Sequence, residues 1–342
     1  MNTIKQIAFV FLMALITNSC HNIFVDRELE NTPRENFNSL WKSVDERYCY
    51  FEEKEVNWLE IKENYSRQIY DEMSDEELFA VCAQMIGELK DGHVNLVAPF
   101  DVSRYWDWYL DFPPNFNYAI IERNYLTKNF VSTSGASASI LDAEDRNIGY
   151  IYYKSFEYEL SDKSAEALAK KFANCNGIIL DIRNNGGGSV MYMYQLASYF
   201  TKQEIAVGYT RYKKGKGHND FTDYFPEKVT PSKSVFFDKK IVLLTNRQTY
   251  SAANIFPGMM KYFPNVTIIG DSTGGGGASP LSMDMPNGWC VRISSINFVN
   301  MDKNTFEFGV APDIYAETTF DDAKAGKDAI IERAMDFLTG RY

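Results

Sequence analysis

The chain reads as an α/β core carried behind a helical lead-in, and three observations carry that reading. From Asn147 onward, short apolar strands alternate with helices. Between Asn36 and Leu96, apolar residues recur at three- and four-residue steps. The first apolar run, Ile7 to Ile16, is too short to cross a bilayer, which takes roughly 20 residues. The 342 residues exceed the ~150 that serve as a prior for one domain, so more than one unit is expected. With 45% hydrophobic and 24% charged residues, composition is that of a globular protein and excludes a disordered, collagenous or polytopic membrane chain. A formal charge of -11 disfavours nucleic acid and anionic surfaces as partners.

Residues 1–19 carry one cation, Lys5, and then the apolar run, which suits a signal-peptide core. Thr17-Asn18-Ser19-Cys20 follows it and resembles a bacterial lipoprotein box, in which Cys20 becomes the lipidated N-terminus. Thr17 departs from the aliphatic residue usual there, and an ordinary secretory signal is the alternative. On the lipoprotein reading the mature chain is held at a bacterial cell envelope by lipid, with residues 20–35 as a polar tether. Cys49, Cys82, Cys175 and Cys290 stand singly, without CxxC or metal-ligand spacing, and read as buried thiols.

The helical lead-in spans residues 36–98. Phe37, Leu40, Trp41, Val44 and Tyr48 line one helix face, and Trp58, Ile61 and Tyr65 another. Ser74 precedes three acids and caps a third helix, expected to stop at the Asp91-Gly92 glycine signal. Residues 99–146 read as an irregular connecting segment with a short strand at Tyr118–Ile121. The core, 147–342, is expected to have strands at 148–156, 177–183, 240–246 and 266–271, with helices at 163–173, 190–200, 252–262 and 329–338. Two late strands are expected at 289–295 and 296–299. Strands this apolar belong to a sheet covered on both faces.

Three motifs bear on chemistry. Asp181-Ile182-Arg183-Asn184-Asn185-Gly186-Gly187-Gly188 follows a strand and precedes a helix, so its amides suit a developing oxyanion. A plain tight turn is the alternative. Thr249-Tyr250-Ser251-Ala252-Ala253-Asn254 also joins strand to helix. Ser251 is there either a helix N-cap or a nucleophile at the C-terminal edge of the sheet, with the Ala252 N–H beside its oxyanion. A serine needs a base, and of the three histidines His21 sits beside the expected anchor and His218 in a charged loop. His93 is the remaining candidate, with a purely structural histidine as the alternative.

Strand–DxRxNxGG, then strand–TxxxYSAAN, then GDSTGGGG (270–277) and EFGVAPD (307–313), resembles the C-terminal processing peptidase and tricorn-core family of serine peptidases. The lead-in ending in DGH is similar to bacterial members, and the match runs over residues 36–342. The resemblance implies a ClpP/crotonase-like core and hydrolysis of peptide bonds without metal or cofactor. In the processing branch the base is a lysine, and Gly276 stands where it would be. In the tricorn-like branch a histidine and a late glutamate serve, and His93 and Glu307 match. That branch usually has a serine before the histidine; here the position is Gly92. The resemblance therefore assigns Ser251 as nucleophile, His93 as base, Glu307 as orienter, and the Gly187, Gly188 and Ala252 amides as oxyanion hole. Asp181, Arg183, Asn185 and Asp313 are expected to brace the site. Residues 99–146 are too few for the PDZ-like module of many relatives, leaving specificity to the lead-in, the aromatic run 105–116 and the loop 208–235, although interdomain packing is the more ordinary reading of the aromatic run. Peptide or protein is the expected substrate. The alternatives are a binding lipoprotein that has lost catalysis and an acyl-CoA enzyme on the same fold, the second disfavoured by export and by a missing basic phosphate site.

Overall fold

The computed structural model describes residues 30–126, 130–141 and 147–341. The expected leader and Cys20 lie outside these. Three helices open the described chain, Pro33–Arg47, Trp58–Ser66 and Asp75–Gly87. Each has a side-chain cap, from Thr32, Asn57 and Ser74, and Ser74 forms a full capping box with Glu77. The third helix ends at Gly87, earlier than the expected glycine signal, and the left-handed residue that follows is Lys90 (φ 47°). Gly92 is therefore not a C-terminal cap.

Strands follow in chain order: β1 (Asn95–Val97), β2 (Val131–Ser132), β3 (Ala136–Leu141), β4 (Ile148–Tyr153), β5 (Gly177–Asp181), β6 (Ile205–Tyr212), β7 (Phe225–Val229), β8 (Ile241–Thr245), β9 (Val266–Gly270), β10 (Ala278–Asp284), β11 (Cys290–Val299) and β12 (Ile314–Tyr315). The larger sheet has the order β12-β9-β8-β5-β4-β3-β2. It is parallel from β12 to β4 and antiparallel at β3 and β2. Alternate residues serve opposite faces. Ile178, Leu180, Ile241 and Leu243 pack with the helices Asp162–Lys171, Val190–Ser198 and Ala252–Met260. Ile179, Val242, Leu244 and Ile269 pack with Ile330, Ile331, Ala334 and Met335 of the C-terminal helix Ala329–Thr339. Burial on both faces explains the unbroken apolar runs.

A second, antiparallel sheet has the order β1-β11-β6-β7 with β10 also on β11. Its β10–β11 hairpin completes the core of the helical lead-in: Ala278, Met285, Trp289, Val291 and Ile293 pack among Phe37, Leu40, Tyr48, Leu78 and Met85. The lead-in helices thus share one apolar interior with a hairpin from the late chain.

The connecting segment departs from expectation in two places. Tyr118–Ile121 is not a strand but the start of a helix, Tyr118–Asn124, because the Asn117 side chain accepts from the Ala119 and Ile120 amides and Ile121 is buried. The strands lie at β2 and β3 instead. The two late strands expected at 289–299 form one continuous strand, β11.

Candidate active site

Strand β8 delivers Ser251 through the turn Asn246–Tyr250. Three turns are stitched together there. The Asn184 N–H donates to Asn246 Oδ1 (2.9 Å), Tyr250 N–H to Asn185 O (3.0 Å), Ser251 N–H to Gly275 O (3.0 Å) and Gly274 N–H to Thr249 O (2.8 Å). Below them Arg183, fully buried, binds Asp181 (2.6 Å) and Asp328 (2.9 Å), tying the end of β5 to the C-terminal helix. Asp313 anchors β9 through the Ile268 N–H (2.8 Å) and pairs with Lys261 (3.0 Å).

Ser251 stands at the N-cap position, yet its side chain caps nothing. Its backbone is at φ 59°, ψ -128°, a region that costs a residue with a Cβ about 1–3 kcal/mol. This conformation turns Oγ away from the helix and toward the lead-in, where His93 Nε2 lies 3.0 Å away. Imidazole and hydroxyl are therefore brought together by elements far apart in sequence. Burial pushes the His93 imidazole down to about 4, against the opposing pull of Asp91, so it is neutral at pH 7.

Glu307 is buried but does not bond to His93. Its Oε1 takes the Lys54 ammonium at 2.8 Å and its Oε2 accepts the Gly277 N–H at 3.0 Å. Burial, and after it the Asp91 charge, pushes its carboxyl up from the usual range, while the Lys54 ammonium and the Gly277 N–H pull it back toward the charged form. Burial is the largest influence on Lys54 and opposes its charge, but Glu307 and Asp91 together outweigh it and hold the ammonium charged. Two donors on one carboxylate make both oxygens acceptors, an ion pair between lead-in and core. His93 Nδ1 is buried without a hydrogen-bond partner, as is Asp91 Oδ2. Neither Lys54 nor Asp91 was picked out from the sequence. Lys54 has no local signal, since its partner sits near the other end of the chain.

The expected oxyanion donors divide. The Gly187 N–H is engaged by Asn185 Oδ1 at 2.9 Å, which leaves it unavailable as placed. Gly187 instead serves by close approach: at φ 96°, a Cβ there would lie 2.7 Å from Ser251 Cβ. The Ala252 N–H opens its helix beside Ser251, and neither it nor the Gly188 N–H has an acceptor among the described residues.

Two glycines make sense only in this site. A Cβ at Gly92 would meet the Tyr250 hydroxyl at 2.7 Å and Trp108 Nε1 at 2.9 Å. A Cβ at Gly276 (φ 75°) would strike the Tyr250 ring at 2.4 Å. Tyr250 thus fills the space at both positions, and Trp108 stacks on it with ring centroids 4.2 Å apart. A cleft of about 840 Å³ lies between lead-in and core, lined among others by Lys54, Tyr105, Trp108, Tyr250, Gly276 and Phe308; it reaches Gly92 and Tyr250, the chain neighbours of the dyad, while Ser251 and His93 themselves do not line it. Of the aromatic run 105–116, Tyr105, Asp107 and Trp108 form part of the cleft wall. Among the described residues no cluster of His, Cys, Asp and Glu is placed to hold a metal ion.

Residues 147–316 match the model of peptidase family S41, and residues 29–87 match the tricorn protease C1 domain. A crystal structure of a candidate peptidase from Parabacteroides merdae is 42% identical, with a TM-score of 0.85, over 90% of this chain and 97% of that one. A carboxyl-terminal-processing protease of Synechocystis is 25% identical over 63% of this chain and 49% of its own length. The carboxy-terminal processing protease CtpA of Bacillus subtilis is 28% identical over 52% of this chain and 36% of its own. The chain thus spans half the length of these curated relatives or less. Its larger sheet and flanking helices are the ClpP-like core of the family. The chain belongs to peptidase family S41.

Proposed function

We propose that the protein is a serine peptidase that cleaves peptide bonds through Ser251 and His93. The observation that carries this is the 3.0 Å contact between His93 Nε2 and the hydroxyl of a serine in a strained backbone conformation. A buried imidazole that stays neutral is an available base. Ser251 Oγ attacks the carbonyl carbon while its proton passes to His93 Nε2. The tetrahedral oxyanion is held by the Ala252 N–H, with the Gly188 N–H as second donor and Gly187 giving close approach. Collapse returns the proton from Nε2 to the leaving amine and leaves an acyl-serine. Water, deprotonated by the same nitrogen, then attacks the acyl carbon; the bond to Oγ breaks, the acid leaves and the proton on Nε2 returns to Ser251 Oγ. One such amide donor is worth about 10²–10³ in rate. Glu307 acts through Lys54 and the Gly277 turn, locking lead-in to core so that His93 faces Ser251.

The substrate is an unstructured peptide or protein segment seated in the aromatic-walled cleft. The N-terminal leader and a lipid on Cys20 would hold the enzyme at a bacterial cell envelope, and Cys20→Ser would release it from the membrane fraction. Fluorophosphonate labelling and hydrolysis of an unfolded protein test the chemistry. Wild type should label at Ser251 and cleave, while Ser251→Ala and His93→Ala should lose both. A wild-type protein that neither labels nor cleaves is a binding protein on this fold.

A further inference from the structure

We infer that Asp91, not Glu307, is the positioning carboxylate that fixes the tautomer of His93 and stabilises its protonated form. The inference rests on the peptidase reading for its catalytic consequence. For Ser251 to donate to Nε2, His93 must carry its own proton on Nδ1, and a buried N–H without an acceptor is costly. Nδ1 is such an atom here. Two residues earlier, in the same turn, Asp91 is 2% exposed. Its Oδ1 already accepts the His93 backbone N–H at 2.8 Å, which ties the carboxylate to the residue it would orient. Its Oδ2 is buried and unpartnered. One orphan donor and one orphan acceptor in one turn are complementary, and a direct contact or one buried water would satisfy both.

Glu307 has no such capacity, because both its oxygens are occupied by Lys54 and the Gly277 N–H. The electrostatics agree. Asp91 is the carboxylate whose charge favours the imidazolium, while Arg292 from β11 and Lys54 from the lead-in oppose it. Tyr48 and Tyr250 also face the Asp91 charge, and the Tyr48 hydroxyl, buried, without a partner of normal geometry and pushed up by burial and then by Asp91, is a second donor to the same carboxylate, which has an oxygen lone pair for each. The imidazolium formed after attack by Ser251 is then paired with a carboxylate from its own loop, and no movement of the Glu307–Lys54 pair is needed.

The test combines kinetics with nuclear magnetic resonance of His93, assigned by His93→Gln in a chain of three histidines. Asp91→Asn keeps an oxygen for the His93 amide but removes the charge and disturbs the Nδ1–H tautomer. It should lower kcat by at least about 10²-fold with KM unchanged, as loss of a tautomer-fixing carboxylate does. It should also move the His93 titration to lower pH, whereas Glu307→Gln should leave the wild-type tautomer in place. In the wild type alone, nitrogen shifts should report the proton on Nδ1, so the proposal does not depend on the variant folding. A proton on Nε2 in the wild type overturns it. So does an Asp91→Asn protein within threefold of wild-type kcat, or a tautomer lost in Glu307→Gln and kept in Asp91→Asn. A wild type inert to fluorophosphonate, whose His93 titration still follows Asp91, overturns the peptidase reading and leaves the pairing standing.

Discussion

Replacing Ser251 by glycine should give a more stable protein than replacing it by alanine, the reverse of the usual order. Both changes remove the hydroxyl, so the 3.0 Å contact with His93 is lost in each and cancels in the comparison. What differs is the Cβ. At φ 59° and ψ -128°, a residue with a Cβ bears about 1–3 kcal/mol of strain that glycine does not. Against this, glycine gives the unfolded chain extra freedom that costs about 0.4–1 kcal/mol. The difference is a net gain of about 0–2.5 kcal/mol for Ser251→Gly over Ser251→Ala. Equilibrium urea unfolding of the two variants, with equal slopes, measures it directly. A glycine variant less stable than the alanine variant would show that Ser251 is not strained, and with it would go the view that the turn spends stability to aim the hydroxyl.

Four further outcomes follow from the site. Hydrolysis should persist at pH 5 and fall as pH drops through about 4, where His93 protonates. The same group should cost stability on acidification: the unfolded chain takes up a proton near pH 6.5 and the folded one only near 4, so about 3 kcal/mol is lost between those values, and His93→Gln should flatten that part of the pH–stability curve. Arg183→Met should destabilise by about 3–5 kcal/mol in chemical unfolding, because it strands Asp181 and Asp328 as buried charges. Gly276→Lys should not create a lysine base but should lower the melting temperature, since its Cβ meets the Tyr250 ring at 2.4 Å. Adding Tyr250→Ala should recover part of that loss.

The core was legible because its strands are buried on both faces and so read as continuous apolar runs; β4, β5, β8 and β9 all fall within their expected spans. Ser251 and His93 were legible for a different reason, a strand–turn–helix context for one and elimination among three histidines for the other. What escaped was long-range or side-chain-specific. The helix at Tyr118 depends on Asn117 bonding to its own following amides, which competes with a β-rich composition. The end of the third helix was misplaced because Gly92 was read as a cap. That glycine answers to Tyr250 and Trp108, which no local window contains. The Glu307–Lys54 pair and the capture of the Gly187 amide by Asn185 likewise exist only once the lead-in and the turns have met.

The shared interior of the N-terminal helices and the β10–β11 hairpin bears on when this protein becomes dangerous. A nascent or translocating chain exposes its first helices long before residues 278–299 arrive to bury them, and contacts of such separation form late in folding. Since the imidazole rides on that unfinished half, the peptidase activity proposed above would be withheld until nearly the whole polypeptide has emerged. On that reading, the order of synthesis itself acts as a safety catch.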